Sequence, residues 1–404
     1  MDDEAINAHK LLKEQFVSNL TGSSLLEIAA LSTVVPAVVV LRKWNCEDNT
    51  RRNSLKKNDD ALPGHKGFVH YFSTLAIDYL TIVLPVLLIF TVLAEWAYAC
   101  ALSLVTLISI LTIFKRSQSH LKAGSNELPL LRADISSYRV SVVLVTCLCI
   151  LAVDFKIFPR RYAKAETYGC GIMDLGVGSF VVANALVSRQ ARNITAMSWN
   201  KALMSTSPLI FLGFARLIST SGVDYQVHVG EYGVHWNFFF TLAAISTLTS
   251  IIRIHPKYCG LAGLLVLTGF QTWLSFGLND YLISNERNAG IISQNKEGYW
   301  AMYLIGVSLG YNLFFDNSSK GKSRSSQVCN FAYVMLVFGQ NFQVISVLTL
   351  AGFISYEKNL VLEDAFNQNM LGSFLLANIL TGLVNLSVDT LSASSGTAFM
   401  IFYK

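Results

Sequence analysis

Long, almost uninterrupted apolar blocks punctuate the chain near residues 24–41, 71–93, 96–114, 138–155, 169–187, 206–220, 234–254, 258–276, 299–315, 328–354 and 370–388. A run of about 20 such residues is what an α-helix needs to cross the hydrocarbon core of a bilayer. The apolar residues do not follow the i, i+3, i+4 spacing of a helix with one wet face. The blocks therefore predict an all-α, polytopic transmembrane helix bundle of about eleven spans. Only 14% of the residues are charged and 52% are hydrophobic, against roughly a quarter charged in a soluble domain. A water-soluble shell cannot be built from that. The longest connections, 42–70 and 115–137, are too short to hold a soluble domain, so residues 1–404 read as a single integral-membrane domain headed by a polar segment, 1–23. That segment carries Asp2, Asp3, Glu4, Lys10, Lys13 and Glu14 in place of the basic region and short apolar core of a signal peptide, and is expected to be retained. No internal repeat is visible.

The net charge of +5 is spread over many short connections, which argues against a nucleic-acid partner and makes loop charge a topology signal. The side reached after spans 1, 3, 5, 7 and 9 holds nineteen Lys and Arg residues, and the other side, with the N-terminus, holds nine. Positive residues stay on the cytoplasmic face, so the N-terminus is expected on the lumenal side. Four of those nine, Lys156, Arg160, Arg161 and Lys164, crowd into the connection 156–168 against the general rule. Such a cluster suits an anionic phospholipid headgroup, because Arg offers a fork to phosphate oxygens. A loop that snorkels its charges to the interface is the alternative.

Seven cysteines form no CxxC pair, so packing residues are expected, with no zinc site, no disulfide framework and no cofactor. The densest collection of ionisable groups beside membrane is ILAVDFKIFPRRYAKAETYGCGIMDLGVG, 150–178. Asp154 closes the fourth block, where an ionised carboxylate must be paired or put to use. Pro159 breaks the chain so that Lys164 can fold back towards it. A desolvated carboxylate can take a proton from an alcohol while an ammonium steadies the oxyanion of an acyl transfer; equally, the two can form an ion pair that merely pins the loop. Asp174 is a second candidate, for substrate binding or for pinning the loop at a helix start. In YQVHVGEYGVHWNFFF, 225–240, His228, Glu231 and His235 could share a helical face. Gly230, Gly233 and a spacing unlike HExxH argue against a metal site. With Trp236 and Asn237 at headgroup depth, and Arg216 from the sixth span, they read as a polar wall for a polyhydroxylated, phosphorylated headgroup. Asn378 and Asn385 lie seven apart on the last span, where interhelical hydrogen bonding is the default reading.

Four motifs in combination, EQFVSNLTGSSLLEI (14–28), AVDFKIFPRRYAKAETYGCGIMDLGVGSFV (152–181), EYGVHWNFF (231–239) and LLANILTGLVNLSV (375–388), cover nearly the whole chain. The chain resembles the glucosaminyl-phosphatidylinositol inositol acyltransferases of GPI-anchor biosynthesis, the PIG-W type. That resemblance implies a multi-pass enzyme of the endoplasmic reticulum membrane with its motif loops facing the lumen. It would move a fatty acyl chain, palmitoyl, from acyl-CoA to an inositol hydroxyl of glucosaminyl-phosphatidylinositol. It implies Asp154 and Lys164 as the catalytic pair; the headgroup phosphate is assigned to Arg160 and Arg161 by their chemistry. The family has about thirteen spans, so this chain reads as a shortened form. A helix is expected to be missing where SSKGKSRSSQVCN follows the ninth span, and the chain stops where a final helix would begin. Losing one span there would invert the last two. The alternatives are a lipid or ion-coupled transporter, and an inactive shortened form.

Overall fold

In a computed structural model, the described residues are 15–16, 20–54, 66–118, 127–165, 169–194, 199–221, 236–278, 296–314, 331–352 and 360–403. Among them there is no strand. The helices in chain order are α1 (Leu25–Ser54), α2 (Lys66–Asp78), α3 (Leu84–Phe90), α4 (Ala97–Gln118), α5 (Glu127–Ala152), α6 (Leu175–Leu186), α7 (Trp199–Ser221), α8 (Phe238–Ile251), α9 (Pro256–Trp273), α10 (Lys296–Phe314), α11 (Phe331–Gly352), α12 (Val361–Gln368), α13 (Met370–Ser387) and α14 (Ser395–Tyr403). All eleven apolar blocks are helical. Eight stretches are long and apolar enough to cross a membrane, and two more, Ile172–Leu186 and Phe238–Ile251, are apolar but shorter. The expected all-α polytopic bundle is what the chain forms. α12 and α14 have no counterpart among the expected blocks.

The chain gathers into two compact units, Leu20–Gly176 with Gln340–Lys404, and Met1–Asn19 with Val177–Gly339. In the second, α9 lies along α10 at a distance that only glycine permits. A Cβ on Gly263 would stand 2.8 Å from the Ala301 carbonyl oxygen, and one on Gly310 would collide with that of Leu186. Small residues at such crossings are how apolar helices approach closely without a hydrophobic drive between them.

In the first unit α2 runs into α3 through a π-helical turn, Tyr79–Val83. Pro85 follows at the start of α3 and offers no N–H, so the wider turn absorbs the change in register. The turn begins right after Asp78, a fully buried carboxylate. Arg42 Nε pairs with Asp78 Oδ1 at 2.7 Å, and the Leu362 amide donates to Asp78 Oδ2 at 3.2 Å. Beside it, Lys43 Nζ pairs with Glu363 Oε1 at 2.9 Å and donates to Ser137 Oγ at 2.6 Å. This network fastens α12 to α1, α2 and α5 at one end of the unit.

The far end carries the opposite anchors. Glu27 lies sixteen residues before Lys43 on α1, a rise of about 24 Å, and α5 ends there just before Asp154. α13 starts beside α12 and finishes with Asn385, whose amide reaches Asp154 at 2.7 Å. α5 and α13 therefore run in the same direction. Between Asp154 and Asn385 the described residues hold seven apolar helices, α6 to α11 and α13. Seven single crossings by these described helices alone would put the two residues on opposite faces of a bilayer.

Two outcomes are expected. Lys43→Met or Glu363→Leu alone, each leaving a buried charge unpaired, should cost about 3–5 kcal/mol of stability. The double replacement should cost clearly less in a detergent thermal-unfolding series. Single-cysteine reporters at the exposed positions 156 and 392 should be labelled from the same side of sealed vesicles.

Candidate functional site

The connection after α5 is built from the apolar residues that flank its charges. Backbone bonds from Phe155 to Ala152 and from Phe158 to Phe155 turn the chain back on itself, and both rings are fully buried. Phe155 packs edge-on against Phe402 of α14, centroids 5.0 Å apart. Tyr79 holds the same residue by donating to the Phe402 carbonyl at 3.1 Å. With its neighbour locked inward, Asp154 is left half-buried at the lip. Its Oδ2 accepts the Asn385 amide at 2.7 Å.

Pro159 leads into a short 3-10 turn, Arg160–Tyr162. Arg160 lies within electrostatic reach of Asp154 and donates to the carbonyls of Val153 and Phe158. Burial pushes its guanidinium down to about 10, partly offset by Asp154, so it remains a cation at neutral pH. Arg161 points the other way. Its Nε pairs with Glu27 at 2.9 Å and its Nη1 with Glu95 at 2.8 Å, while its guanidinium covers the Tyr162 ring at 5.0 Å. Tyr162 is fully buried and donates to Glu27 at 2.8 Å; burial and then Glu27 push its hydroxyl upward. For Arg161, burial works against the charge, but hydrogen bonds to Glu27 and Glu95 outweigh it and hold the guanidinium firmly protonated. The expected phosphate ligand is thus engaged by two carboxylates that anchor the turn to α1 and to the residues before α4. Lys164 follows, half-buried, two residues after Tyr162.

Asp174 closes the connection. Its Oδ2 accepts the amides of Ala165 at 3.1 Å and Gly171 at 2.7 Å, which is the loop-pinning arrangement and fixes the backbone immediately after Lys164. The first motif crosses over this stretch. Ser23 donates to the Cys170 carbonyl at 3.0 Å, and the backbones pass so closely that Gly169, at φ +110°, would drive a Cβ into the Thr21 carbonyl. Gly22, at φ +78°, would place one 2.5 Å from the Cys170 carbonyl oxygen. Burial, with Asp174 nearby, pushes the Cys170 thiol up to about 12, so it stays protonated and is no nucleophile at neutral pH.

The remaining expected residues belong to the unit holding 177–339. His228, Glu231 and His235 lie outside the described residues. Arg216 sits half-buried on α7. Asn237 caps α8, accepting from the Phe239 and Phe240 amides at 3.0 and 3.2 Å and donating to the Gly213 carbonyl at 2.9 Å. Trp236 donates to Thr241 Oγ1 at 2.9 Å and rests against Phe240. Those two side chains thus build the start of a helix. Among the described residues no group of three His, Cys, Asp or Glu is placed to hold a metal ion.

The parts of three of the four sequence motifs that lie in the unit formed by 20–176 and 340–404, residues 20–28, 152–176 and the end of 375–388, therefore meet at one end of that unit. Glu27, Glu95 and Gly169 were not singled out by sequence reasoning, and Asn385 only as a helix–helix contact. A carboxylate three residues into a span and a glycine pair flanking a cysteine were the signals available.

The family model described as GWT1 matches residues 9–327 and 317–404, two stretches that overlap at 317–327. An uncharacterized protein of Arabidopsis thaliana is 50% identical over 384 residues, covering 86% of this chain and 87% of the relative. The GPI-anchored wall transfer protein 1 of Schizosaccharomyces pombe is 34% identical over 458 residues, covering 98% and 95%. The phosphatidylinositol-glycan biosynthesis class W protein of Dictyostelium discoideum is 29% identical over 472 residues, covering 97% and 93%. The last two alignments are longer than the 404 residues of this chain, so those relatives carry residues without a counterpart here.

Gly169→Ala should free the 163–171 connection, since the left-handed backbone and the close crossing each oppose a Cβ. Limited proteolysis should cut within that stretch while helix content by circular dichroism stays unchanged. Resistance equal to the parent protein would count against the crossing.

Proposed function

The chain belongs to the GWT1 family, and from that membership together with the site we infer that it is an inositol acyltransferase of GPI-anchor biosynthesis. The finer reading is ours as well. The donor is a fatty acyl-CoA, palmitoyl-CoA, and the acceptor is an inositol hydroxyl of glucosaminyl-phosphatidylinositol. The motif-bearing end of the bundle faces the lumen of the endoplasmic reticulum, in keeping with the loop charges.

The observation that carries this reading is Asp154, a half-buried carboxylate held at the lip of the helix ends by Asn385 and faced by the Arg160 cation. A carboxylate so placed can accept the proton of an alcohol as it attacks. The inositol oxygen forms a bond to the thioester carbonyl carbon, and Lys164 steadies the oxyanion that develops. Collapse breaks the carbon–sulfur bond. The CoA thiolate leaves and recovers the proton from Asp154, so the enzyme returns to its starting state and the ester is complete. The thioester is already activated, so no acyl-enzyme is required, and the protonated Cys170 thiol offers none. The acyl tail lies between helices. Arg160 balances the charge of Asp154 and is the cation we assign to the lipid phosphate. Arg161, bound to Glu27 and Glu95, shapes the turn that presents both. Arg216 and the 228–237 segment are assigned to the headgroup.

Membranes containing this chain should transfer label from palmitoyl-CoA to glucosaminyl-phosphatidylinositol. Asp154→Asn should lower that rate by about 100-fold or more, the usual contribution of a general base, at unchanged protein level. Equal rates in the two proteins would remove Asp154 from the chemistry. Inactivity of both, beside an active longer relative, would mean that the motifs are kept here without the enzyme.

A further inference from the structure

Of the two asparagines seven apart on α13, only one serves its own helix. Asn378 donates back to the Phe374 carbonyl at 2.7 Å, the local bond that a polar side chain in an apolar helix finds most easily. Asn385 instead spends its amide on Asp154 Oδ2, 231 residues away in the chain. Its neighbours do not share that task. Leu383 and Leu386 are exposed, the latter 77%, and Ser387 bonds to carbonyls of its own helix.

Resting on the reading of Asp154 as the general base, we propose that Asn385 is the positioning residue of the acyl transfer. It holds the carboxylate of Asp154 by Oδ2 and so fixes its orientation towards the inositol hydroxyl. A hydrogen bond from a rigid helix restricts rotation of the carboxylate, and a base must lie within hydrogen-bond reach of the proton it takes. The contact also favours the ionised form of Asp154, since a donor to the charged state stabilises it. Arg160, from the same connection, acts in the same sense. Lys156 and Lys164 are the other cations of that connection, while Phe402 from α14 brings only a ring, against Phe155. With the amide removed, the carboxyl takes up its proton at a higher pH, so the base is lost from the acidic side upward.

The test uses the full chain in nanodiscs. Infrared difference spectra across a pH series give the midpoint at which the protonated carboxyl of Asp154 appears, assigned by its disappearance in Asp154→Asn. That readout does not require turnover. In Asn385→Leu the midpoint should rise by about one pH unit or more, as expected for losing a hydrogen bond to a charge. Where activity is measured, kcat at neutral pH should fall about 10- to 100-fold with KM for palmitoyl-CoA little changed. Asn385→Gln, which keeps a donor, should restore the midpoint most of the way. If the Leu variant does not accumulate, Asn385→Ala, which removes the amide without adding bulk, decides. A parental midpoint in the Leu or Ala variant overturns the proposal even if activity falls, because the residue would then matter only for packing. Undiminished acyl transfer by Asp154→Asn would instead overturn the general-base reading, and the midpoint would still report whether Asn385 governs Asp154.

Discussion

Inside hydrocarbon an ionised side chain persists only where the fold supplies its partner, and the unit formed by 20–176 and 340–404 is organised around two places where it does. At one end Arg42 and Lys43 are matched by Asp78 and Glu363; at the other Arg161 is matched by Glu27 and Glu95, and Asp154 by Asn385 and Arg160. The two ends differ in kind. The first is closed, with Lys43 and Asp78 almost wholly out of contact with solvent, so it can fasten helices but cannot meet a ligand. The second is half-open, and its carboxylate is held at the lip of the helix ends. Fastening at the closed end fixes where α12 lies, hence where α13 begins, hence where Asn385 arrives.

The apolar blocks and the site differ in how much the sequence says about them. Each block is a local property, and every one became a helix, because twenty apolar residues in a row carry the information by themselves. Asp154 was also legible, since a carboxylate at the end of such a block needs a reason to be there. Its partners were not. Glu27 reaches Arg161 across 134 residues and Asn385 reaches Asp154 across 231, and no local pattern announces a contact of that range. Arg160 and Arg161 look alike in RRY, yet the 3-10 turn sends one towards Asp154 and the other towards two glutamates. Adjacent residues in so tight a turn face different ways, so their roles separate only when the turn is seen.

That separation sharpens the chemistry. Arg160 is a cation beside Asp154 that also donates to the backbone carbonyls of Val153 and Phe158, so it supports the carboxylate while bracing the turn. Lys164 directly precedes Ala165, whose amide is tied to Asp174 together with that of Gly171, and the Gly22 crossing lies over Gly169 and Cys170. A flexible lysine gains reach from its side chain but precision only from its backbone, and here the backbone is fixed at 165 and 171. The division of labour proposed for Asp154 and Lys164, a held base with a cation beside it, suits a reaction in which charge develops on an incoming carbonyl oxygen.

The direction of α13 ties this chemistry to the path of the chain. Asp154 and Asn385 lie side by side, so an even number of crossings separates them, while the described residues between hold seven apolar helices. α6 and α8, of 12 and 14 residues, rise only about 18 and 21 Å against a core of about 30 Å, and one of them ending within the membrane would correct the count. The connection between α10 and α11 offers a simpler correction. There the family model parts into two overlapping stretches, and the segment DNSSKGKSRSSQVCN has too few apolar residues to cross. One additional helix in the longer relatives at that point would restore the parity with every other helix crossing once. It is also where the sequence predicted a lost span. In this chain Asn385 reaches Asp154 because α13 runs in the same direction as α5, and the contacts of the closed end, Lys43 with Glu363 and Asp78 with the start of α12, hold α13 in that direction.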